Sequence, residues 1–305
     1  MISTVDIQKT TSGALRLNEP MARYSTFGVG GPADYYLEPL NQDDLVSVVT
    51  YFSENGVPFV LCSNKSNILV SEEGFRGAVI NIEPGLSAMS GSQNVVSAQA
   101  GAKLGKLIET CISRGLSGLE TFAGIGGTVG GAVATNRRSS DVCITNLVQH
   151  IEILRNGRVT KETNVNGSHE VKRLVVDGDI VLSVKFTLTP SAKNDLLMSR
   201  RRFLIQQNEK QPVNIPSVGS IFRDSPQESA EELIMRSGVK KKTHGGARIF
   251  DAHPNMLCNA GNASPNDLFR LIRIMHEAVL EKHGVNLEYE VRCLGFEEEL
   301  IRTAV

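Results

Sequence analysis

The sequence predicts a mixed fold, α/β or α+β by its periodicities alone, in two domains with a break in the 190s. Three observations carry this. Strand-like and helix-like runs alternate over the first half of the chain; the strongest strand signal, Ile180-Val-Leu-Ser-Val-Lys-Phe-Thr-Leu188, stands just ahead of a polar stretch; and a capped amphipathic helix leads the last third. With 305 residues and 41% hydrophobic content the chain can bury a core, and usual domain lengths allow two domains or three small ones.

In chain order, strands are expected at Ala33–Leu37 and Phe59–Cys62, flanking a helix Asp43–Glu54, and then at Gly77–Ile82 and Val95–Ala98. A helix Leu104–Arg114 stops before Gly115 and leads into the glycine-dense segment Gly124-Ile-Gly-Gly-Thr-Val-Gly-Gly131, followed by strands His150–Leu154 and Ile180–Leu188. The polar stretch Thr189–Asp195, with Pro190 and Ser191, then opens a basic helix, Ser199–Gln207. The clearest helix is Pro265–His283. Ser264 is its N-cap, Pro265 its first residue, Asp267 stands three after the cap, Leu268, Leu271, Ile272, Met275 and Val279 form one stripe, and Gly284 stops it.

Charge and composition narrow the function. A formal net charge of −1 with acids and bases interspersed offers no positive surface for nucleic acid and no polybasic membrane patch. Met1–Asn18 holds no apolar run of signal-peptide length and no later segment approaches a membrane span, so a soluble cytoplasmic protein is expected. Cys62, Cys111, Cys143, Cys258 and Cys293 lie far apart without a CxxC or mixed His/Cys spacing, which reads as reduced thiols, mostly in the core. His276-Glu277 lacks the second histidine of a HExxH helix, and no metal is expected.

Two loops suit a dinucleotide. Cys62-Ser-Asn-Lys-Ser-Asn-Ile-Leu-Val70 sets polar residues directly after a strand, where successive N–H groups and hydroxyls can face a pyrophosphate; an ordinary Ser/Asn turn is the alternative. Gly124–Gly131 permits close backbone approach to a flat ring or a phosphate, since glycine has no Cβ, or else is a tight turn entering a helix. It is not a Rossmann fingerprint, because counting GxGxxG from Gly124 puts Val129 at the last glycine.

Taken in order, Tyr24-Ser-Thr-Phe-Gly-Val-Gly-Gly-Pro-Ala-Asp34, Ser63-Asn-Lys-Ser-Asn-Ile-Leu-Val70, Ala100-Gly-Ala102, Gly118-Leu-Glu120, Ala123–Ala132 with Asn136, Ile180-Val-Leu-Ser183, Gln211-Pro212, Pro216-Ser-Val-Gly-Ser-Ile-Phe222, Gly245-Gly-Ala247, His253-Pro-Asn255 and Leu287-Glu-Tyr-Glu-Val-Arg292 resemble the UDP-N-acetylenolpyruvoylglucosamine reductase (MurB) family from about Met21 to Phe296. The resemblance implies an α+β fold: a two-lobed FAD-binding domain of the vanillyl-alcohol-oxidase/PCMH type over residues 1–192, its lobes split near 85–95, and an α+β substrate-binding domain over 200–300. Without an obvious insertion in the last domain, the chain is similar to the shorter of the family's two architectural types.

The implied activity is reduction of UDP-N-acetylglucosamine enolpyruvate to UDP-N-acetylmuramate in peptidoglycan biosynthesis, with non-covalent FAD and with NADPH as reductant, by a monomer. The resemblance puts FAD against Ser63, Asn64, Lys65, Ser66, Asn67, Ile68, Gly101, Gly124, Gly127, Thr128, Gly130, Gly131 and Ile180, gives Asn136 and Arg223 to substrate, and makes Ser220 the proton donor and Glu290 the catalytic glutamate. A flavoprotein acting on another substrate, and a non-catalytic binder of flavin or nucleotide sugar, are the alternatives.

The chain departs from the family pattern in several places. Asn64 and Lys65 replace glycines, Gly126 a proline, Arg137-Arg-Ser139 a small run, Arg248 a glutamine and Asp224-Ser225 an Asn-Pro. The family's Tyr-Arg pair, whose arginine polarises the substrate carboxylate, falls here near His169 and Glu170, with Lys172 and Arg173 as substitutes only after a register shift.

Overall fold

The computed structural model describes residues 3–63, 67–163, 175–176, 178–209, 216–217, 219–225 and 228–297. The chain forms two compact units, one from Met1–Leu15, Leu37–Ser63 and Val79–Gln207, the other from Arg16–Tyr36, Asn64–Ala78 and Asn208–Val305. The early strands are β1 (Ala14–Pro20), β2 (Pro32–Glu38), β3 (Phe59–Cys62), β4 (Ile68–Val70) and β5 (Phe75–Asn81). One sheet joins them in the order β1-β2-β5-β3, and β4 pairs elsewhere. The chain passes between units inside β1, β2 and β5.

In the first unit, Arg158–Thr163, Val148–Arg155, Ile180–Thr187, β7 (Val95–Gln99) and β6 (Met89–Ser92) form an antiparallel sheet in that order. The pleat decides the buried face: Leu182, Val184 and Phe186 are buried while Ser183 and Lys185 between them are half-exposed. Around the sheets lie α1 (Thr4–Thr10), α2 (Gln42–Glu54), α3 (Leu104–Ser113), the short α4 (Val129–Ala134) and α5 (Lys193–Glu209). Asn41 caps α2 by accepting from the Asp44 N–H at 3.0 Å. Asp44 in turn accepts from the N–H groups of Ser12, Gly13 and Leu40 and from the Thr11 hydroxyl, which ties the chain after α1 to the start of α2.

The second unit is built on α6 (Ala230–Ser237) and α7 (Pro265–His283) with the strands Thr243–His244, Ala247–Ile249 and Leu257–Asn259. Phe27 and Leu69 from the early segments enter the same core as Leu233, Leu257, Leu271, Ile272 and Met275. β4 runs parallel to Arg292–Leu294, with Ile68 opposite Arg292, Leu69 opposite Cys293 and Val70 opposite Leu294.

The expected elements are present, with shifted ends. α7 has the foreseen bounds and a complete capping box, Ser264 and Asp267 each accepting from the other's N–H, with Gly284 left-handed at φ 68°. α5 begins at Lys193, ahead of the expected Ser199, because Asp195 in its first turn suits a helix N-terminus and the polar residues continue into the helix. The segment Gly124–Gly131 is a turn entering a helix, with Thr128 as N-cap of α4. All five cysteines are free, and all but Cys293 are buried.

Candidate active site

Ser220 and Glu290 lie far apart in sequence and are brought together by backbone pairing. The N–H groups of Glu290 and Val291 both donate to the Ile221 carbonyl, at 2.7 and 3.2 Å, and the Arg223 N–H donates to the Glu288 carbonyl at 2.8 Å. Phe222 and Tyr289 form the bridge between these contacts. Ser220 and Glu290 are each one residue or less from the shared Ile221 carbonyl, and both side chains are half-buried.

Two asparagines hold the Ser220–Phe222 segment from other directions. Asn67, immediately before β4, donates its side-chain N–H to the Ser220 carbonyl at 3.0 Å, and its own carbonyl accepts from the Arg292 N–H at 3.0 Å. Asn255 accepts from the Phe222 N–H at 3.0 Å and donates to the Phe222 carbonyl at 2.8 Å, while its backbone carbonyl takes the Ile221 N–H. Neither role is visible in the sequence reading, which has Asn67 in a cofactor loop and Asn255 in a motif without an assigned task.

Behind these strands is an aromatic layer. The buried Phe222 ring lies 5.2 Å from Tyr289, which stacks at 5.5 Å on the imidazole of the buried His276. His276 Nε2 is paired with Asn286 Oδ1 at 2.8 Å. Burial pushes the Tyr289 phenol up to about 12, so it stays neutral across the working pH range.

The glycine segment, in the first unit, divides by what a side chain would meet. A Cβ at Gly130 would stand 2.7 Å from Ala100 Cβ, one at Gly101 would stand 2.4 Å from the Ile82 carbonyl oxygen, and one at Gly124 would stand 2.9 Å from Gln207 Cβ. These three let the backbone pack closely. Gly126 and Gly127 face open space, Gly131 has only Thr128 Oγ1 at 3.5 Å, and all three are exposed. The turn is pinned by Leu104 N–H to Gly127 O, Val129 N–H to Ala102 O and Gly130 N–H to Ala100 O.

The other candidates are scattered. Ile180 is buried as the first residue of its strand, Ile68 is buried in β4, and Ser63 is half-buried after β3. Asn136 sits at φ 43° and accepts from the Thr145 hydroxyl at 2.6 Å. Arg223 pairs with Glu288 at 3.3 Å in an exposed ion pair. Asn64, Lys65 and Ser66, and the stretch with His169, Glu170, Lys172 and Arg173, lie outside the described residues.

The residues present fit the dinucleotide that the resemblance implies. Asn67 Oδ1 and Thr26 Oγ1 are buried with no hydrogen-bond partner among the described residues, a state polar atoms avoid unless a ligand or water completes them. The two neighbourhoods are linked, because Ser25 Oγ donates to the Ile68 carbonyl at 3.4 Å. In the first unit, Gly126, Gly127 and Gly131 leave bare backbone of the kind a flat ring or phosphate approaches.

Residues 211–294 match the family described as UDP-N-acetylenolpyruvoylglucosamine reductase, C-terminal domain, and residues 33–161 match the FAD binding domain family. The UDP-N-acetylenolpyruvoylglucosamine reductase of Chloroherpeton thalassium is 32% identical over 309 residues, covering 98% of this chain and 99% of that protein. The enzyme of that name from Alkalilimnicola ehrlichii is 35% identical over 285 residues, covering 93% and 95%. Among solved structures, UDP-N-acetylenolpyruvylglucosamine reductase (MurB) from Thermus caldophilus superimposes with a TM-score of 0.73 at 27% identity, covering 92% of this chain and 98% of that one.

Proposed function

Since the chain belongs to the UDP-N-acetylenolpyruvoylglucosamine reductase family, we propose that it reduces the enolpyruvyl ether of UDP-N-acetylglucosamine to UDP-N-acetylmuramate, with NADPH as reductant and FAD as cofactor. The observation that supports this reading is the Glu290 N–H to Ile221 carbonyl bond of 2.7 Å, which pairs the backbone of Glu290 with the residue next to Ser220. We take residues 1–192 as the FAD-binding domain and 200–300 as the substrate domain, with the reaction in the cytoplasm, where nucleotide sugars and NADPH are available, and the enzyme as a monomer.

When bound, FAD would supply hydride transfer from NADPH to the methylene carbon of the enolpyruvyl group. Asn67, Thr26, Ile68, Ser63, Thr128, Gly127 and Gly131 are the described residues that would hold it. As the methylene carbon becomes a methyl group, an electron pair accumulates on the adjacent carbon and spreads into the substrate carboxylate. In its protonated form Glu290 would donate a hydrogen bond to that enolate, the kind of preorganised donor that contributes most to such reactions. Ser220 gives its hydroxyl proton to the carbon, which completes the lactyl ether. Asn136 and Arg223 are assigned to the substrate.

The test is anaerobic. NADPH should bleach the flavin of the holoprotein, and enolpyruvyl-UDP-GlcNAc should then restore its spectrum. A flavin that reduces and stays reduced excludes this substrate, and a protein that takes up no flavin excludes the whole reading.

A further inference from the structure

The Asn67 side-chain amide offers a donor and an acceptor, and among the described residues only the donor is satisfied. Its Nδ2 donates to the Ser220 carbonyl at 3.0 Å, which fixes the orientation of the amide, since an oxygen in that position would face another oxygen. Its Oδ1 is then locked in a buried position with no donor among the described residues. The backbone is equally constrained, because the Asn67 carbonyl takes the Arg292 N–H and β4 runs in register with Arg292–Leu294, two residues beyond Glu290. The buried Thr26 Oγ1 also lacks a partner among the described residues.

We infer that Asn67 is a positioning residue that couples the cofactor to the proton donor: Nδ2 sets Ser220, while Oδ1 accepts from a ring N–H or ribityl O–H of the bound flavin. This rests on the reading of Ser220 given above. An asparagine meets both demands, one donor and one acceptor at fixed angle. Aspartate supplies only the acceptor, and leucine, of the same shape, supplies neither. Flavin binding thereby restrains the amide that holds Ser220, so a loaded site has its proton donor placed before substrate arrives.

The experiment compares Asn67→Leu and Asn67→Asp with the wild type, in excess FAD, by measuring anaerobic flavin reduction by NADPH, its reoxidation by enolpyruvyl-UDP-GlcNAc, and FAD release on dilution of the holoprotein. Both variants should lower the ratio of reoxidation to reduction rate by about tenfold or more, with a larger solvent deuterium isotope effect on reoxidation. Asn67→Leu should also release FAD faster than Asn67→Asp, which keeps the acceptor. A ratio within about threefold of wild type in either variant, including the case where both rates fall together, overturns the inference. So does failure of both variants to hold flavin in excess FAD, which would make Asn67 a residue for cofactor retention alone. A wild-type flavin that substrate never reoxidises overturns instead the function on which the inference rests.

Discussion

The side chain of Asn255 closes a two-bond ring on a single residue, Phe222, accepting from its N–H at 3.0 Å and donating to its carbonyl at 2.8 Å. Asn255 is 3% exposed, so water cannot replace either bond. Asn255→Ala therefore leaves two backbone groups without partners and should cost about 2–4 kcal/mol. In urea unfolding the midpoint should fall with an unchanged slope. A wild-type midpoint would mean that the strand pairing alone holds Phe222.

The proposed roles of Ser220 and Glu290 separate in half-reactions. Ser220→Ala removes a general acid and should slow flavin reoxidation by substrate by about 10²–10⁴-fold, leaving reduction by NADPH intact. Glu290→Ala removes an enolate donor, for a loss of about 10²–10³-fold, whereas Glu290→Gln keeps an N–H donor and should retain more activity than alanine. Stopped-flow absorbance of the flavin reads both steps. Equal damage from Gln and Ala would show that Glu290 acts through its proton or its charge.

Sequence legibility followed the range of the interactions. α7 could be read in full because Ser264, Pro265, Asp267 and Gly284 act within one turn of its ends. α5 was harder, since only Leu196 among its described side chains is buried and no apolar stripe marks its length. α6 went unforeseen although Ser229 caps it and Gly238 ends it in the left-handed region at φ 84°, because eight residues carry too little periodicity. In the site, Ser220 and Glu290 emerged from motifs that resemble a family. The Asn67 to Ser220 bond joins residues 153 positions apart, and no local pattern encodes it.

Acid should weaken the first unit through two carboxylates. Burial works to raise the Asp44 carboxyl, but hydrogen bonds from the Leu40, Ser12 and Gly13 N–H groups and the Thr11 hydroxyl outweigh it and hold it below the ordinary aspartate range. For Asp179 the leading cause is the two-pronged bond from the Arg155 guanidinium, at 2.8 and 2.7 Å, which lowers it against the effect of burial. A depressed folded-state value gives stability that is complete above the unfolded value of about 4 and is lost as pH falls through the folded value. Asp44→Asn and Asp179→Asn should each be less stable than wild type at pH 7 and should lose less stability between about pH 5 and pH 2. Melting temperatures across that range provide the check, and curves parallel to wild type would show that neither carboxylate governs the acid limb.

Gly130 and Gly131 are neighbours with opposite demands, and alanine distinguishes them. At Gly130 a methyl group would stand 2.7 Å from Ala100 Cβ and 3.0 Å from the Ala100 carbonyl oxygen, the acceptor of the Gly130 N–H itself. Gly130→Ala must displace the turn and should cost about 1–3 kcal/mol, weakening FAD binding as a by-product. At Gly131 the methyl would meet only Thr128 Oγ1 at 3.5 Å, and the residue lies inside α4, where alanine is the better helix former by about 0.5–1 kcal/mol. Gly131→Ala should therefore raise the melting temperature of the FAD-free protein. If the flavin approaches this bare backbone, the same variant should bind FAD more weakly, and a loss of affinity in a stabilised protein has no explanation in damage to the fold. Titration of FAD into both variants decides it: unchanged affinity in Gly131→Ala would move the cofactor away from the start of α4 and leave Gly127 as the remaining open glycine among those expected to face it.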